Sequence, residues 1–362
     1  MKGCDIVTTG FIVPTGRIIK DYLDENNITQ KELCTRIGMS EKHISNLLNG
    51  NSKLTEEFAL KLEKVLVGVP ASYWLNYEVK YREFLARNLE KFKLNQTNLK
   101  EMAKKFKFSE VFKGLNLTLV EQAIEMLKLL KISDFNNFDA AYSNLSVNFM
   151  EDGGEKEAIA IWLNLCESEI EIQNADNVSS IKYEKTKLEK SLHLFKKLAY
   201  NDNIEFSIKS CRRLCNKLGI YLVLCEAVVN SKVRGALTTY KGNPVIYLSG
   251  RFKSHDHIWF AFLHELGHLL KHYNKKDTII SLENENEDIE NDLREEEANE
   301  FARNFLIDPE DYKVFISQNE FTSESIRKFA KKQNVLPGIV VARLQHDRII
   351  KYDKFTSLKQ YI

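Results

Sequence analysis

The run Trp259-Phe260-Ala261-Phe262-Leu263-His264-Glu265-Leu266-Gly267-His268-Leu269-Leu270 constrains this chain more than any other segment. It is strongly apolar and holds an H-E-x-x-H motif at helical spacing. On a helix, residues four apart share a face, so His264 and His268 can point two imidazoles at one metal ion. Glu265 projects beside them and can reach a water at that ion. Those are the parts of a zinc hydrolase. The pentapeptide recurs by chance in many proteins, so its context decides.

Zinc in a hydrolase takes three protein ligands and leaves a fourth position for water. The best source of the third is the helical stretch from Arg294 to Leu306, where Ala298, Phe301, Ala302 and Phe305 form an apolar stripe suited to packing on another helix. Its first turn carries Glu295, Glu296 and Glu297, of which the helix period lets only one face the metal. No H-x-x-G-x-x-H extension follows the motif, which excludes the metzincin arrangement. In such a site Glu265 takes a proton from the attacking water and passes it to the leaving amine. His272, His255 and His257 are candidates for a supporting or oxyanion-binding role, against the plainer reading of surface histidines. The plain alternative for His264 and His268 is a buried helix without metal.

Composition places few limits on this reading. The chain has 362 residues, enough for two or three domains, and a formal net charge of +1. With no global basic field, any contact with nucleic acid must rest on a local surface. No apolar run approaches the roughly 18 residues of a membrane span, and the first residues lack the pattern of a signal peptide. Six scattered cysteines fit reduced thiols and a cytoplasmic setting. Cys211 and Cys215 lie one helical turn apart and read as structural rather than as half a metal site.

Three textures follow one another along the chain, giving expected domains at 1–80, 81–200 and 201–362. The first consists of short helices separated by Asn, Gly and Ser. The second reads as long amphipathic helices, with Leu119, Ile124, Leu127 and Leu130 at helical spacing. It can dimerise, bind a partner or act as a spacer. The third is mixed, with a helix around Ile208 to Leu218, strands at 220–224, 233–240 and 244–248, a turn at Lys241-Gly242-Asn243, and helices thereafter. The acidic stretch Glu283 to Asp292 reads as an exposed loop. One of the strands 233–240 and 244–249 is expected to offer an open edge to an extended substrate. Ser323 to Leu344 holds two helical stretches broken at Asn334 to Gly338, which read as packing around the catalytic helices.

Ile28 to Gly50 has the pattern of a helix-turn-helix. Thr29 caps the first helix with Glu32 as its capping-box partner, Leu33 and Ile37 face inward, and Gly38 supplies the turn. Ser40 caps the second helix, which buries Ile44, Leu47 and Leu48 and leaves Lys42, His43 and Asn46 on its exposed face. In such units the second helix enters the major groove, so Ser40, Lys42, His43 and Asn46 are the expected DNA contacts, with Gln30 on a phosphate. The competing reading is a helical structural module that does not bind DNA, since Glu41 in the recognition turn repels phosphate.

This segment resembles the Cro/C1-type, or XRE, helix-turn-helix domain, and Lys53 to Leu62 with Ala71 to Asn76 is similar to its HigA antitoxin branch. Trp259 to His272, followed by Glu297-Ala298-Asn299-Glu300-Phe301-Ala302, resembles the ImmA/IrrE family of metallo-endopeptidases. Arg234-Gly235-Ala236 and Val245 to Ser249 extend that resemblance. It implies a gluzincin-like zinc site with His264, His268 and Glu297 as ligands and Glu265 as catalytic residue, Glu295 and Glu296 being immediate neighbours of the third ligand. The expected fold is mainly α with a small β-sheet (α+β): an all-α helix-turn-helix domain, a helical middle region and a zincin-like metallopeptidase domain. The implied function is a cytoplasmic DNA-binding regulator fused to a zinc-dependent endopeptidase that cleaves a repressor or antitoxin-like protein. Its expected partners are a double-stranded DNA operator, that protein substrate and a second copy in a homodimer, with no membrane. The alternative is a non-catalytic antitoxin-type repressor of a toxin–antitoxin system, whose metal-binding domain senses a ligand or grips a toxin.

Overall fold

Short capped helices build the first part of the chain. The computed structural model describes residues 12–143, 154–250, 254–282 and 293–361. The chain divides into two compact units, residues 1–99 and 100–362.

Among the described residues, the first unit holds α1 (Thr15–Glu25), α2 (Gln30–Ile37), α3 (Glu41–Leu48), α4 (Glu56–Val65) and the long α5 (Ala71–Gln96). Thr29, Ser40 and Thr55 cap α2, α3 and α4 by accepting the backbone N–H three residues on. Only half of the expected box at Thr29 forms, because the Glu32 carboxylate turns to Arg36 one turn along. Gly38 ends α2 at φ 72°, the left-handed conformation that lets α3 leave at an angle. The stripes Ile19/Leu23, Leu33/Ile37 and Ile44/Leu47 close on Phe58, Leu62 and Trp74 to form one core. Buried Glu78 of α5 ties this unit together: it accepts from Thr15 and pairs with Arg82 at 2.6 Å.

The second unit is built round a four-stranded sheet, β1 (Tyr221–Cys225), β2 (Val233–Tyr240), β3 (Asn243–Ser249) and β4 (Ile279–Leu282), in the order β1-β3-β2-β4. β1 runs parallel to β3, while β2 is antiparallel to both β3 and β4. Lys241 (φ 48°) and Gly242 (φ 84°) form the two-residue turn of the β2–β3 hairpin, matching the twist of its strands. The first three strands follow the sequence pattern; β4 interrupts a region expected to be helical.

Helices of the expected middle region share this unit. Lys156–Gln173 packs on β1, and Lys185–Ala199 packs on Ile204–Lys217. The outward groups of β1 meet side chains rather than another strand. Leu222 N–H donates to Asn174 Oδ1 (3.0 Å) and Leu224 N–H to Gln173 Oε1 (3.0 Å), while Arg212 Nε donates to the Leu222 carbonyl and Gln173 Nε2 to that of Leu224 (both 3.0 Å). β2 and β3 both lie inside the sheet, which corrects the expectation that one of them offers an open edge: the four residues of β4 pair with β2 and cover it.

Beneath the sheet runs the site helix, His255–Lys271, buried almost without a break from Ile258 to Leu270. The C-terminal helices Ser323–Gln333 and Pro337–His346, separated by left-handed Asn334, bury Phe329, Ile339, Val340 and Leu344 in the same core as Trp259, Phe262 and Leu266. They therefore pack around the site helix.

Candidate metal centre and helix-turn-helix face

The site is made where the site helix crosses the acidic helix, Leu293–Leu306. Gly267 permits the close approach: a Cβ there would sit 3.2 Å from Ala298 Cα and 3.1 Å from the Phe301 ring. That contact fixes which side of the acidic helix faces the histidines. Glu295 and Asn299, four residues apart, share that side.

Glu295 places one carboxylate oxygen 3.1 Å from His264 Nε2 and the other 3.0 Å from His268 Nε2. The two Nε2 atoms are 3.0 Å apart. A tetrahedral ion with bonds of about 2.0–2.1 Å sets its ligand atoms roughly 3.3 Å apart, so the three groups converge at nearly the right spacing. Burial works to raise the Glu295 carboxyl, but the two imidazoles outweigh it and hold the group well below the usual carboxylate range. Among the described residues, these three form the one cluster of such donors able to share an ion.

The rings are oriented from behind. His264 Nδ1 lies 3.0 Å from Asn299 Oδ1, which can only accept, so the proton sits on Nδ1 and the Nε2 lone pair points inward. His268 Nδ1 lies 3.1 Å from His272 Nδ1, and His272 Nε2 lies 2.9 Å from Glu297 Oε2.

Glu265 is fully buried beside this cluster, and neither carboxylate oxygen has a hydrogen-bond partner. Burial pushes its carboxyl up to about 8, with His268 opposing. The Ser281 hydroxyl of β4 also stands near enough to favour the charged form, but its hydrogen bond goes to His264 Nε2 at 3.1 Å. Gly235 of β2 lies directly against this acid: a Cβ there would come within 2.5 Å of Glu265 Oε1. A buried acid without a hydrogen-bond partner, close enough to His268 and Glu295 to feel their charge, fits a site made for an ion and a reacting water.

In the first unit, α3 presents Lys42 and His43 to solvent and Asn46 half-buried, with Ser40 exposed at its N-cap and Gln30 exposed at the start of α2. These five residues remain on the surface while Ile44, Leu47 and Leu48 hold α3 in the core.

Two segments of the chain match known family models. Residues 215–345 match the peptidase M78 family model, described as the IrrE N-terminal-like domain, and residues 19–74 match the helix-turn-helix family model. The chain joins a helix-turn-helix domain to an IrrE-like domain of a peptidase family. A protein described as the uncharacterized HTH-type transcriptional regulator YddM, from Escherichia coli (strain K12), is 36% identical over 63 residues, which are 17% of this chain and 66% of that relative. The chain thus spans slightly less than two thirds of the curated relative it matches.

Within the IrrE-like domain the expected residues sort clearly. His264, His268 and Glu265 come together as their spacing requires. Glu295 stands where Glu297 was expected, because Glu297 is two residues further along and so about 200° round the helix. Glu297 instead meets His272, and Glu296 pairs with Arg303 on the surface. His255 and His257 lie at the start of the site helix, about 10 Å or more from His264 at 1.5 Å per residue, and take no part in the cluster. Cys211 and Cys215 are buried, Cys211 in the apolar core with Cys215 beside it. Sequence reasoning missed Asn299 and Ser281. The spacing of Asn299 from Glu295 was a usable signal; the Ile-Ile-Ser-Leu run around Ser281 was not. The acidic loop expected at Glu283 to Asp292 falls outside the described residues.

Proposed function

We propose that this protein is a DNA-binding regulator whose second unit is a zinc-dependent endopeptidase acting on a repressor or antitoxin-like protein. The observation that carries the reading is the convergence of His264, His268 and Glu295 beside the buried, unpartnered Glu265. Histidine and carboxylate donors, few in number and leaving room for water, suit zinc. Zinc held by these three residues would supply an acidified water and a Lewis acid for the scissile carbonyl.

Glu265 then acts as the proton carrier, taking a proton from the attacking water and delivering it to the leaving amine nitrogen. Its position against Gly235 and under β2 keeps it in place and excludes bulk water. The Ser281 hydroxyl lies 3.1 Å from His264 Nε2 and is suited to steady oxygen at the reacting centre. Among the described residues no strand lies on the outer side of β4, so its edge is the one open to an extended peptide. In the first unit, Gln30, Ser40, Lys42, His43 and Asn46 would contact an operator, with two copies reading two half-sites.

Zinc content and a substrate trap test this together. The purified chain should carry about one zinc per molecule, and Glu265→Gln should keep that zinc while retaining an uncut protein partner in its native host. A wild type that leaves the captured protein uncut would refute the peptidase reading and favour a binding-only regulator, while a Glu265→Gln variant that cuts as fast as the wild type would refute Glu265 as the proton carrier.

A further inference from the structure

We infer that His272 and Glu297 form a positioning relay that holds His268 in its metal-binding state. The inference rests on the proposed metal centre and extends it to two residues outside the ligand set.

What each group can donate fixes where the protons of these three side chains sit. The Glu297 carboxylate faces His272 Nε2 at 2.9 Å. An ionised carboxylate only accepts, so His272 Nε2 carries the proton and donates it. The other nitrogen of a neutral His272 is then a bare acceptor. Its Nδ1 lies 3.1 Å from His268 Nδ1, which must therefore donate. That leaves the proton of His268 on Nδ1 and its Nε2 lone pair free, facing Glu295 and His264 at 3.0 Å each. Every hydrogen in the chain Glu297–His272–His268 is thus directed by the carboxylate at its end. His264 receives the same service directly from Asn299 Oδ1 at 3.0 Å.

Local structure explains why the relay needs an intermediate. His272 is the C-cap of the site helix, one turn beyond His268, so its ring lies against the ligand ring, tilted by 56° with 5.3 Å between centroids. Glu297 lies off the metal-facing side of the acidic helix and cannot reach the ion cluster itself, but it reaches His272 at the outer end. The side chain of His272 is 11% exposed and that of Glu297 42%, so the relay runs from the buried cluster to the surface. A carboxylate behind a ligand imidazole raises its basicity and fixes its ring, and losing such a partner typically weakens metal binding about 10–100-fold.

The test measures zinc affinity of the full chain by competition with a chromophoric chelator, with metal-free stability followed by urea unfolding on the same samples. His272→Ala should weaken zinc binding about 10–100-fold and Glu297→Ala by a smaller factor, with little change in metal-free stability. His272→Asn, whose amide oxygen can accept the His268 proton, should recover most of the affinity. Because Glu297 acts through His272, adding Glu297→Ala to His272→Ala should weaken binding no further. Single variants that bind zinc within twofold of the wild type would overturn the relay while leaving the metal centre intact. So would independent, additive losses in the double variant. A wild type that takes up no zinc would overturn the metal centre and the relay with it. Glu297→Ala alters a half-exposed surface residue, so the relay stays testable even where His272→Ala fails to fold.

Discussion

Gly235 makes the sharpest test of how tightly the site is built. Replacing it with alanine puts a methyl group 2.5 Å from Glu265 Oε1 and 2.9 Å from both Cδ and Cγ. Comfortable contacts between such atoms are about 3.5–4 Å, so close to 1 Å of overlap must be relieved. Neither partner has room to give. Gly235 is paired on both sides, with Leu248 of β3 and Ser281 of β4, and Glu265 is fully buried on a helix buried along most of its length. Overpacking of this kind costs about 1–3 kcal/mol, and pinning on both sides points to the upper half of that range. The φ of Gly235 is not in the left-handed region, so alanine brings no backbone strain of its own. In a Glu265→Ala background the atoms that clash are gone. There Gly235→Ala should be neutral or stabilise by up to about 1 kcal/mol, through the smaller freedom of the unfolded chain. Urea unfolding of the four proteins, in chelator and at one pH, gives a coupling energy expected at about 2–3 kcal/mol. An equal cost of Gly235→Ala in both backgrounds would refute the claim that β2 is pressed against the acid.

Glu265 has a folded pKa of about 8, above the ordinary carboxyl range, so at this group the folded chain holds more protons than the unfolded chain between about 4.5 and 8. The Glu265 contribution to metal-free stability should therefore fall by on the order of 3–5 kcal/mol as pH rises through that window, while His255, lowered by burial to about 4, works the other way between about 4 and 6.5. Urea unfolding at pH 6.5 and pH 8, above the His255 range, measures the fall, which Glu265→Gln should largely remove; a variant as steep as the wild type would contradict the assignment. On the other unit, Lys42→Ala with Asn46→Ala should weaken operator binding by about tenfold or more per residue without loss of helix. Unchanged binding in a gel-shift or anisotropy assay would rule out α3 as the reading helix.

Much of this architecture is written in local pattern. The helix-turn-helix was legible because Thr29 and Ser40 are caps, Gly38 a stop and Ile44/Leu47 a stripe, all within one or two turns. The site helix was legible because its apolar run and the His264/His268 spacing both demand one period. The third ligand was not, since three consecutive glutamates carry no information about phase. The phase comes from Gly267 against Ala298, a contact between residues 31 positions apart in the chain. β4 escaped for a related reason: Ile279–Leu282 is too short to announce itself and becomes a strand only by pairing with β2. The sealing of β1 by Gln173, Asn174 and Arg212 likewise depends on partners far away in sequence.

That sealing also sets how many neighbours the sheet can have. Growth by edge-to-edge pairing needs two open edges on every molecule, one to receive and one to offer. Here the β1 edge has no unanswered N–H or carbonyl at Leu222 or Leu224, because side chains already answer all four. Only the β4 side remains, among the described residues. A sheet with one available side can take a single guest strand, or pair once with its own copy, and then it is closed. The molecule can keep an edge exposed for an incoming chain without becoming a link in a fibre.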